Sequence, residues 1–267
     1  MEKKICIGDN IYKVKSDEGD IYLDNMGNEF EPGMTILFKK LVNPGDVVAD
    51  IGANIGLTSI LFSQLSNKVV AFEPSPSTYS ILCENILRNK LKNVIPVNIG
   101  LGDKTEISTL TFAVNNRSGG FVSNICRPDV GHMTETIEIK RLDDIWSQFS
   151  DRLDFIKIDV EGYEGDVIRG ALSLLEQHKP IVVLELNHWC LNAFRRISVP
   201  EFFDFLRSVF PFLYAIDITV DIGGVHLELK DLYKNDEAYH VTYEHIIKFR
   251  FPNIVAGYDE EIIKKLV

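Results

Sequence analysis

Two apolar rhythms alternate along this chain. Short apolar runs at Val47–Ala49, Lys68–Glu73, Val94–Ile99, Leu153–Asp159 and Ile181–Leu186 predict buried strands. Between them, apolar residues return at helical spacing over Leu57–Leu65, Thr78–Lys90, Asp166 to about Gln177, and Pro200–Val209. Such alternation predicts a mostly parallel sheet with helices on both faces. Pro96 has no N–H to give a ladder, so the third strand should lie at an edge. Further strands are expected near Phe212–Ile218 and Ile246–Phe251.

Two segments depart from this rhythm. Residues 1–45 form a lead-in of short alternating bursts, Ile11–Val14 and Asp20–Leu23, read as strands or a hairpin. A helix over Met34–Val42 follows, opened by Pro32 and Gly33 and stopped by Asn43-Pro-Gly45. Residues 104–140 read as a β-rich insertion, with pieces at Glu106–Val114 and Thr134–Lys140 around a polar loop, Asn115–Gly120. An insertion on the ligand side of a sheet often forms a lid or a substrate wall. Residues 1–267 are expected to form a single domain, since no linker, repeat or low-complexity run divides them.

The first strand runs into Asp50-Ile-Gly-Ala-Asn-Ile-Gly56 and then a helix. Gly52 permits the turn, Gly56 permits close helix–strand approach, and the new helix directs free N–H groups above the strand end. Ala53 and Asn54 lie in the same turn. The spacing is Asp-x-Gly-x-Asn-x-Gly rather than the Gly-x-Gly-x-x-Gly of dinucleotide sites. Asp50 would repel a pyrophosphate and hold a cation such as an amino-acid ammonium. The second strand ends at Glu73-Pro74, seventeen residues after Gly56, where a carboxylate can accept both hydroxyls of a ribose. A ribose with an ammonium-bearing tail and no phosphate describes S-adenosylmethionine. The plainer alternative is a βαβ unit whose acids only cap helices. Glu31 has two readings, a helix cap or a group reaching the cofactor from above. Asn98, or backbone near Leu101, would offer an acceptor to an adenine amino group.

Asp50, Glu73, Asn98, Asp159 and Glu185 all fall at or near strand ends, where ligands bind in such sheets. Lys157 lies inside an apolar strand and must pair with a carboxylate, with Asp159, Glu161 or Glu185 available. It reads equally as a structural ion pair or as a substrate-facing group. Asp159, Glu161 and His188 are the candidate general bases for a hydroxyl. No spacing of acids and histidines marks a metal site.

The balance of 28 Lys and Arg against 39 Asp and Glu gives a net charge of −11, which disfavours a nucleic-acid substrate. Four scattered cysteines form no Cys-x-x-Cys pair, so neither a disulfide framework nor a thiolate zinc site is expected. With no leader-like h-region and no apolar run of spanning length, a cytoplasmic protein without membrane insertion is expected.

Three motifs, Pro44–Gly56, Ala71–Pro74 and Ile156–Glu164, together resemble the FkbM-type S-adenosylmethionine-dependent methyltransferases over about residues 31–190. The resemblance implies the class I methyltransferase (Rossmann-like) fold, a seven-stranded sheet with a reversed last hairpin. It implies methyl transfer, usually to a hydroxyl oxygen of a saccharide or polyketide-type small molecule. It carries Asp50, Gly52, Asn54, Gly56 and Glu73 to the cofactor and places Asp159 near the methyl group. The acceptor is not inherited, because residues 1–30 and 190–267 lie outside the resemblance. Two alternatives remain at this stage, a non-catalytic cofactor-binding module and an NAD-dependent oxidoreductase.

Overall fold

The computed structural model describes residues 1–126, 128, 130–222, 224–260 and 266. The lead-in begins with a hairpin of β1 (Glu2–Ile7) and β2 (Asn10–Lys15). Alternation over residues 20–23 predicts a strand, but the chain there forms a short helix, α1 (Ile21–Asn25). The Asp20 carboxylate accepts from the Tyr22 N–H at 3.3 Å, and this local cap outweighs four alternating residues. Helix α2 (Pro32–Leu41) follows, with proline in its first turn.

The expected βα rhythm then runs through β3 (Val47–Ile51), α3 (Leu57–Leu65), β4 (Lys68–Phe72), α4 (Pro76–Arg88) and β5 (Val94–Val97). Ser75 caps α4, its hydroxyl accepting from the Thr78 N–H at 3.1 Å. The insertion is a second sheet of β6 (Gly100–Leu101), β7 (Glu106–Ala113), β8 (Asn116–Val122) and β9 (His132–Lys140), in the order β6-β9-β7-β8. Residues 127 and 129 of this segment lie outside the described residues. Strand β8 occupies the stretch expected as a polar loop. Its backbone pairs with β7 at Asn116, Phe121 and Val122 through an irregular register, so Ser118, Gly119 and Gly120 lie within a strand without any apolar signal of their own.

Helix α5 (Leu142–Ile145) and a 3-10 turn at Trp146–Gln148 lead to β10 (Phe155–Ile158). The single helix expected over 166–177 is two helices, α6 (Glu164–Arg169) and α7 (Leu172–His178). They break at Gly170, where a Cβ would lie 1.9 Å from the Gly102 carbonyl oxygen. Then come β11 (Ile181–Glu185), α8 (His188–Cys190), a π-helical turn at Leu191–Arg195, α9 (Val199–Val209), β12 (Phe212–Asp221), β13 (Gly224–Asp231), α10 (Asn235–Lys248) and β14 (Asn253–Gly257). The strand expected at 246–251 is therefore the end of α10 and its exit. Ala238, Val241 and His245 bury at helical spacing, and this stripe decides the segment over the apolar pair Ile246 and Ile247, which stays exposed.

The main sheet has eight strands in the order β13-β12-β14-β11-β10-β3-β4-β5. Strands β11, β10, β3, β4 and β5 are parallel, whereas β14, β12 and β13 join antiparallel. The family resemblance implies seven strands; β13, paired along β12, is the eighth. Pro96 lies on the edge strand β5. Residues alternate between two cores. Ala49, Ile51, Ile156 and Ile158 face one that holds Trp146, Phe202 and Phe203, while Val48, Phe155 and Val183 face another that holds Phe38, Ile60 and Phe62. From β3 the chain winds outward to β5, then returns to β10 on the other side. The switch in strand order thus falls between β3 and β10, where a doubly wound sheet opens a crevice. Among the described residues no helix is long and apolar enough to cross a membrane.

Candidate functional site

A cavity of about 480 Å³ opens over the carboxyl ends of β3, β4, β10 and β11, with residues of α1, α2 and the insertion sheet completing its walls. Its floor is the glycine turn after β3. Gly52 has φ +78°, and a Cβ there would lie 1.9 Å from the Asp159 carbonyl oxygen, so only glycine lets the two strand exits meet. The Gly52 and Ala53 N–H groups donate to the Phe72 carbonyl at 3.1 and 2.9 Å, which ties the turn to β4. Gly56 starts α3 at φ +97° and packs where a Cβ would meet Leu82, outside the cavity lining. Gly52, Ala53 and Asn54 line the cavity.

Glu73 and Pro74 line it as well. The Glu73 carboxylate accepts from the Asn54 N–H and the Ser75 N–H, each at 2.9 Å. Burial nevertheless pushes its carboxyl up to about 7. Beside it, Asn54 Oδ1 is buried and has no hydrogen-bond partner. Asn98 sits differently from its expected place above an adenine. Its Nδ2 donates to the Glu73 and Pro74 carbonyls at 2.9 and 3.0 Å, so its side chain tethers the β4 exit and does not line the cavity. Leu101 does line it, together with Ile99, Leu110, Ile137 and Ile139 as an apolar wall.

Asp50 also departs from its expected role. It is fully buried and does not line the cavity. It shares a sheet face with Val48, against α3, where the Ser59 hydroxyl donates to Oδ2 at 2.5 Å. The cation it faces is Lys157 rather than a group in the cavity. Lys157 stands opposite Asp50 in the β10–β3 register, with Nζ 3.7 Å from Asp50 Oδ1 and 3.3 Å from Asp159 Oδ2. The same ammonium donates to the Gly52 carbonyl at 3.0 Å. Burial alone would depress this amine, but Asp159 and Asp50 hold it above the usual lysine range. Lys157 is at once a buried ion-pair member and a cavity residue.

Asp159 is exposed and Glu161 half-buried, and both line the cavity. Glu161 Oε2 accepts from the Cys190 thiol at 3.0 Å, and burial pushes its carboxyl up to about 7. Glu185 lines the cavity too, with its Oε2 buried and unpartnered, and burial raises it well above the usual carboxylate range. Glu31 precedes α2, but its side chain makes no cap bond; it lines the cavity instead. His188 is not brought to the cavity. Asn187 caps α8, accepting from the Cys190 N–H at 3.2 Å, and the His188 ring packs 5.0 Å from that of His245 and 4.9 Å from that of Phe249. It therefore drops out as a base facing this cavity. Among the described residues, no group of three His, Cys, Asp or Glu side chains is placed to hold a metal ion.

Sequence reasoning misses Tyr22, Arg117 and Asn253, which also line the cavity. Arg117 on β8 pairs with Asp17 and donates to Ser77 Oγ at 2.5 Å, clasping the insertion sheet to the start of α4 and to the lead-in. The one local hint is an arginine beside Ser118 and two glycines. Tyr22 and Asn253 come from segments that no motif covers.

A parallel sheet with its glycine turn at the strand switch, a buried glutamate ending the neighbouring strand and a reversed strand pair beyond defines the class I methyltransferase fold. Residues 50–213 match the model of the methyltransferase FkbM domain, and the chain belongs to that family. Methyltransferase sdnD of Sordaria araneosa is 28% identical over 154 residues, covering 46% of this chain and 60% of that protein. The hexuronic acid methyltransferase AglP of Haloferax volcanii is 31% identical over 139 residues, 52% of this chain and 55% of AglP. The 31-O-demethyl-FK506 methyltransferase FkbM of Streptomyces tacrolimicus is 27% identical over 160 residues, 49% and 61% of the respective chains. The chain thus spans somewhat over half the length of these curated relatives.

Proposed function

We propose that this protein is an S-adenosylmethionine-dependent methyltransferase that methylates a hydroxyl oxygen of a saccharide or polyketide-type small molecule, with residues 1–267 acting as one domain. The observation that carries the reading is Glu73. It is a buried carboxylate at the end of the second parallel strand, fixed by two backbone N–H groups, facing a cavity beside the unpartnered Asn54 Oδ1. That acceptor set fits a ribose diol, which brings two hydroxyl donors to oxygens already oriented. The apolar wall around Leu101 suits a nucleobase. Glu31, a lining carboxylate ahead of α2, suits the ammonium of the amino-acid tail.

S-adenosylmethionine, when bound, supplies a methyl carbon already activated by its sulfonium. The protein's part is then alignment and proton removal. We assign the role of base for an acceptor hydroxyl to Asp159, an exposed carboxylate lining the cavity. Lys157, anchored by Asp50, fixes Asp159 in position. AglP is a hexuronic acid methyltransferase and FkbM a 31-O-demethyl-FK506 methyltransferase, and the likeness to both supports an oxygen acceptor of this class. The net charge of −11 supports a small molecule over a nucleic acid.

Titration calorimetry with S-adenosylmethionine tests the cofactor assignment. A charge-assisted hydrogen bond of this kind contributes about 1.5–3 kcal/mol, so Glu73→Ala should bind about tenfold more weakly or worse. Unchanged affinity removes Glu73 from the site. A screen of hydroxylated acceptors for methyl incorporation then separates an enzyme from a binding module.

A further inference from the structure

The carboxylates of the cavity outnumber its cations. Glu31, Glu73, Asp159, Glu161 and Glu185 line it, whereas Lys157 and Arg117 are the only Lys or Arg among its described lining residues. Both cations are engaged, Arg117 by Asp17 and Ser77, and Lys157 by Asp50, Asp159 and the Gly52 carbonyl. Glu73 is held by two N–H groups. At the other end, Glu161 has the Cys190 thiol as its hydrogen-bond donor, and Glu185 Oε2 is out of solvent with no donor at all. A buried carboxylate oxygen left without a donor is costly, so one that borders a cavity is placed to receive a donor from a ligand.

These two carboxylates lie apart from the region the cofactor would fill. Neighbouring strands are about 4.8 Å apart, and β11 is the third strand from β4, so Glu185 sits roughly 14 Å across the sheet from the strand that carries Glu73. Glu161 follows β10, between them. Asn253, register partner of Glu185 on β14, lines the same end. This is the acceptor end of the cavity under the methyltransferase reading, on which the inference rests.

We propose that the acceptor is a hydroxylated small molecule bearing a protonated amine, such as an amino sugar, with its ammonium seated between Glu161 and Glu185. An ammonium brings three donors that can be shared between separated carboxylates and the Asn253 amide. A divalent metal ion needs several ligands converging within about 2.0–2.6 Å, and no such group of three is present among the described residues. An acidic sugar would be repelled by both carboxylates, and a neutral sugar would offer only uncharged hydroxyl donors, which bond a carboxylate more weakly than an ammonium does.

The test uses the full chain saturated with S-adenosylhomocysteine, and calorimetry or ligand-observed NMR at pH 7. Glucosamine, galactosamine and mannosamine are compared with their N-acetyl counterparts. At least one amine should bind about tenfold more tightly than its neutral partner. Glu185→Gln and Glu161→Gln should each erase most of that preference, and Glu185→Gln should keep S-adenosylhomocysteine affinity within about twofold, which also reports correct folding. No preference for any amine, or a preference that survives both substitutions, overturns the inference while leaving methyl transfer intact. Failure of the wild-type protein to bind S-adenosylhomocysteine overturns the methyltransferase reading itself.

Discussion

Lys157 lies in the middle of an apolar sheet, and among the described residues its ammonium is the positive charge paired with a fully buried Asp50. Burial pushes the Asp50 carboxyl up, opposed first by Lys157 and then by the Ser59 hydroxyl. The pair sets two features of the site, because Lys157 also bonds the Gly52 carbonyl and meets Asp159. Breaking a buried pair from one side leaves an uncompensated charge and typically costs about 3–5 kcal/mol. Lys157→Met is therefore expected to lose that much stability in urea unfolding, and the double variant with Asp50→Asn should regain most of it. A single variant as stable as the wild type would show that Asp50 is protonated in the fold and that no ion pair forms. Neither partner could be assigned from spacing alone, since residues 50 and 157 meet through the register of two strands 107 residues apart.

At the scale of elements, the junction between α6 and α7 shows how a distant backbone ends a helix. Gly170 sits against Gly102, at the mouth of the insertion, with no room for a side chain. The Gly170 carbonyl also accepts from the Asp143 N–H at 2.9 Å, which draws α5 into the same junction. Gly170→Ala must push these segments apart, and overpacking of this kind costs about 1–3 kcal/mol. Gly45→Ala is the matched control, since nothing lies within 4 Å of its added carbon, and it should change stability by less than about 0.5 kcal/mol. Equal denaturation midpoints for the two variants would mean that the α6–α7 break has another cause. The insertion sheet depends on similar long-range ties. Arg117 joins β8 to Asp17 and Ser77, and Ile21 N–H bonds the Asn115 carbonyl at 2.9 Å, so lead-in and insertion close the cavity together.

The whole molecule carries a pH signature. Burial pushes Glu73, Glu161 and Glu164 each up to about 7, and raises Glu185 as well. Unfolded carboxylates titrate near about 4.3, so between there and about 7 the folded chain holds protons that the unfolded chain releases. Stability must then fall as pH rises through this window. His188 and His245 work in the opposite sense, because burial lowers both, and the unfolded chain takes up those protons first as pH drops below about 6.5. The raised carboxylates, which include Glu31, Asp50 and Asp166 as well, outnumber the two lowered imidazoles. The ligand-free protein is expected to melt higher at pH 5.5 than at pH 7.5, by about 3 °C or more in scanning calorimetry. A melting temperature that climbs with pH would mean that these carboxylates are ionised and solvated in the folded state.

The sequence by itself determined the alternating core. Apolar runs of strand length separated by helical stripes leave one architecture that buries both, and the Asp50–Gly56 turn with Glu73 marks the carboxyl edge of that sheet. The edge position of β5 was legible too, because Pro96 lacks a donor whatever its surroundings. Tertiary structure decided which charged side chains meet. Asp50 turns inward to Lys157, Asn98 is drawn to the backbone of Glu73, and His188 is carried away by the Asn187 cap toward α10. It also decided β8, which is a strand by pairing and not by pattern, and the break at Gly170, which depends on a carbonyl 68 residues away. Hydrophobic periodicity records what each segment buries. It carries no record of partners, because register, crossover and close approach between backbones arise only when distant segments pack.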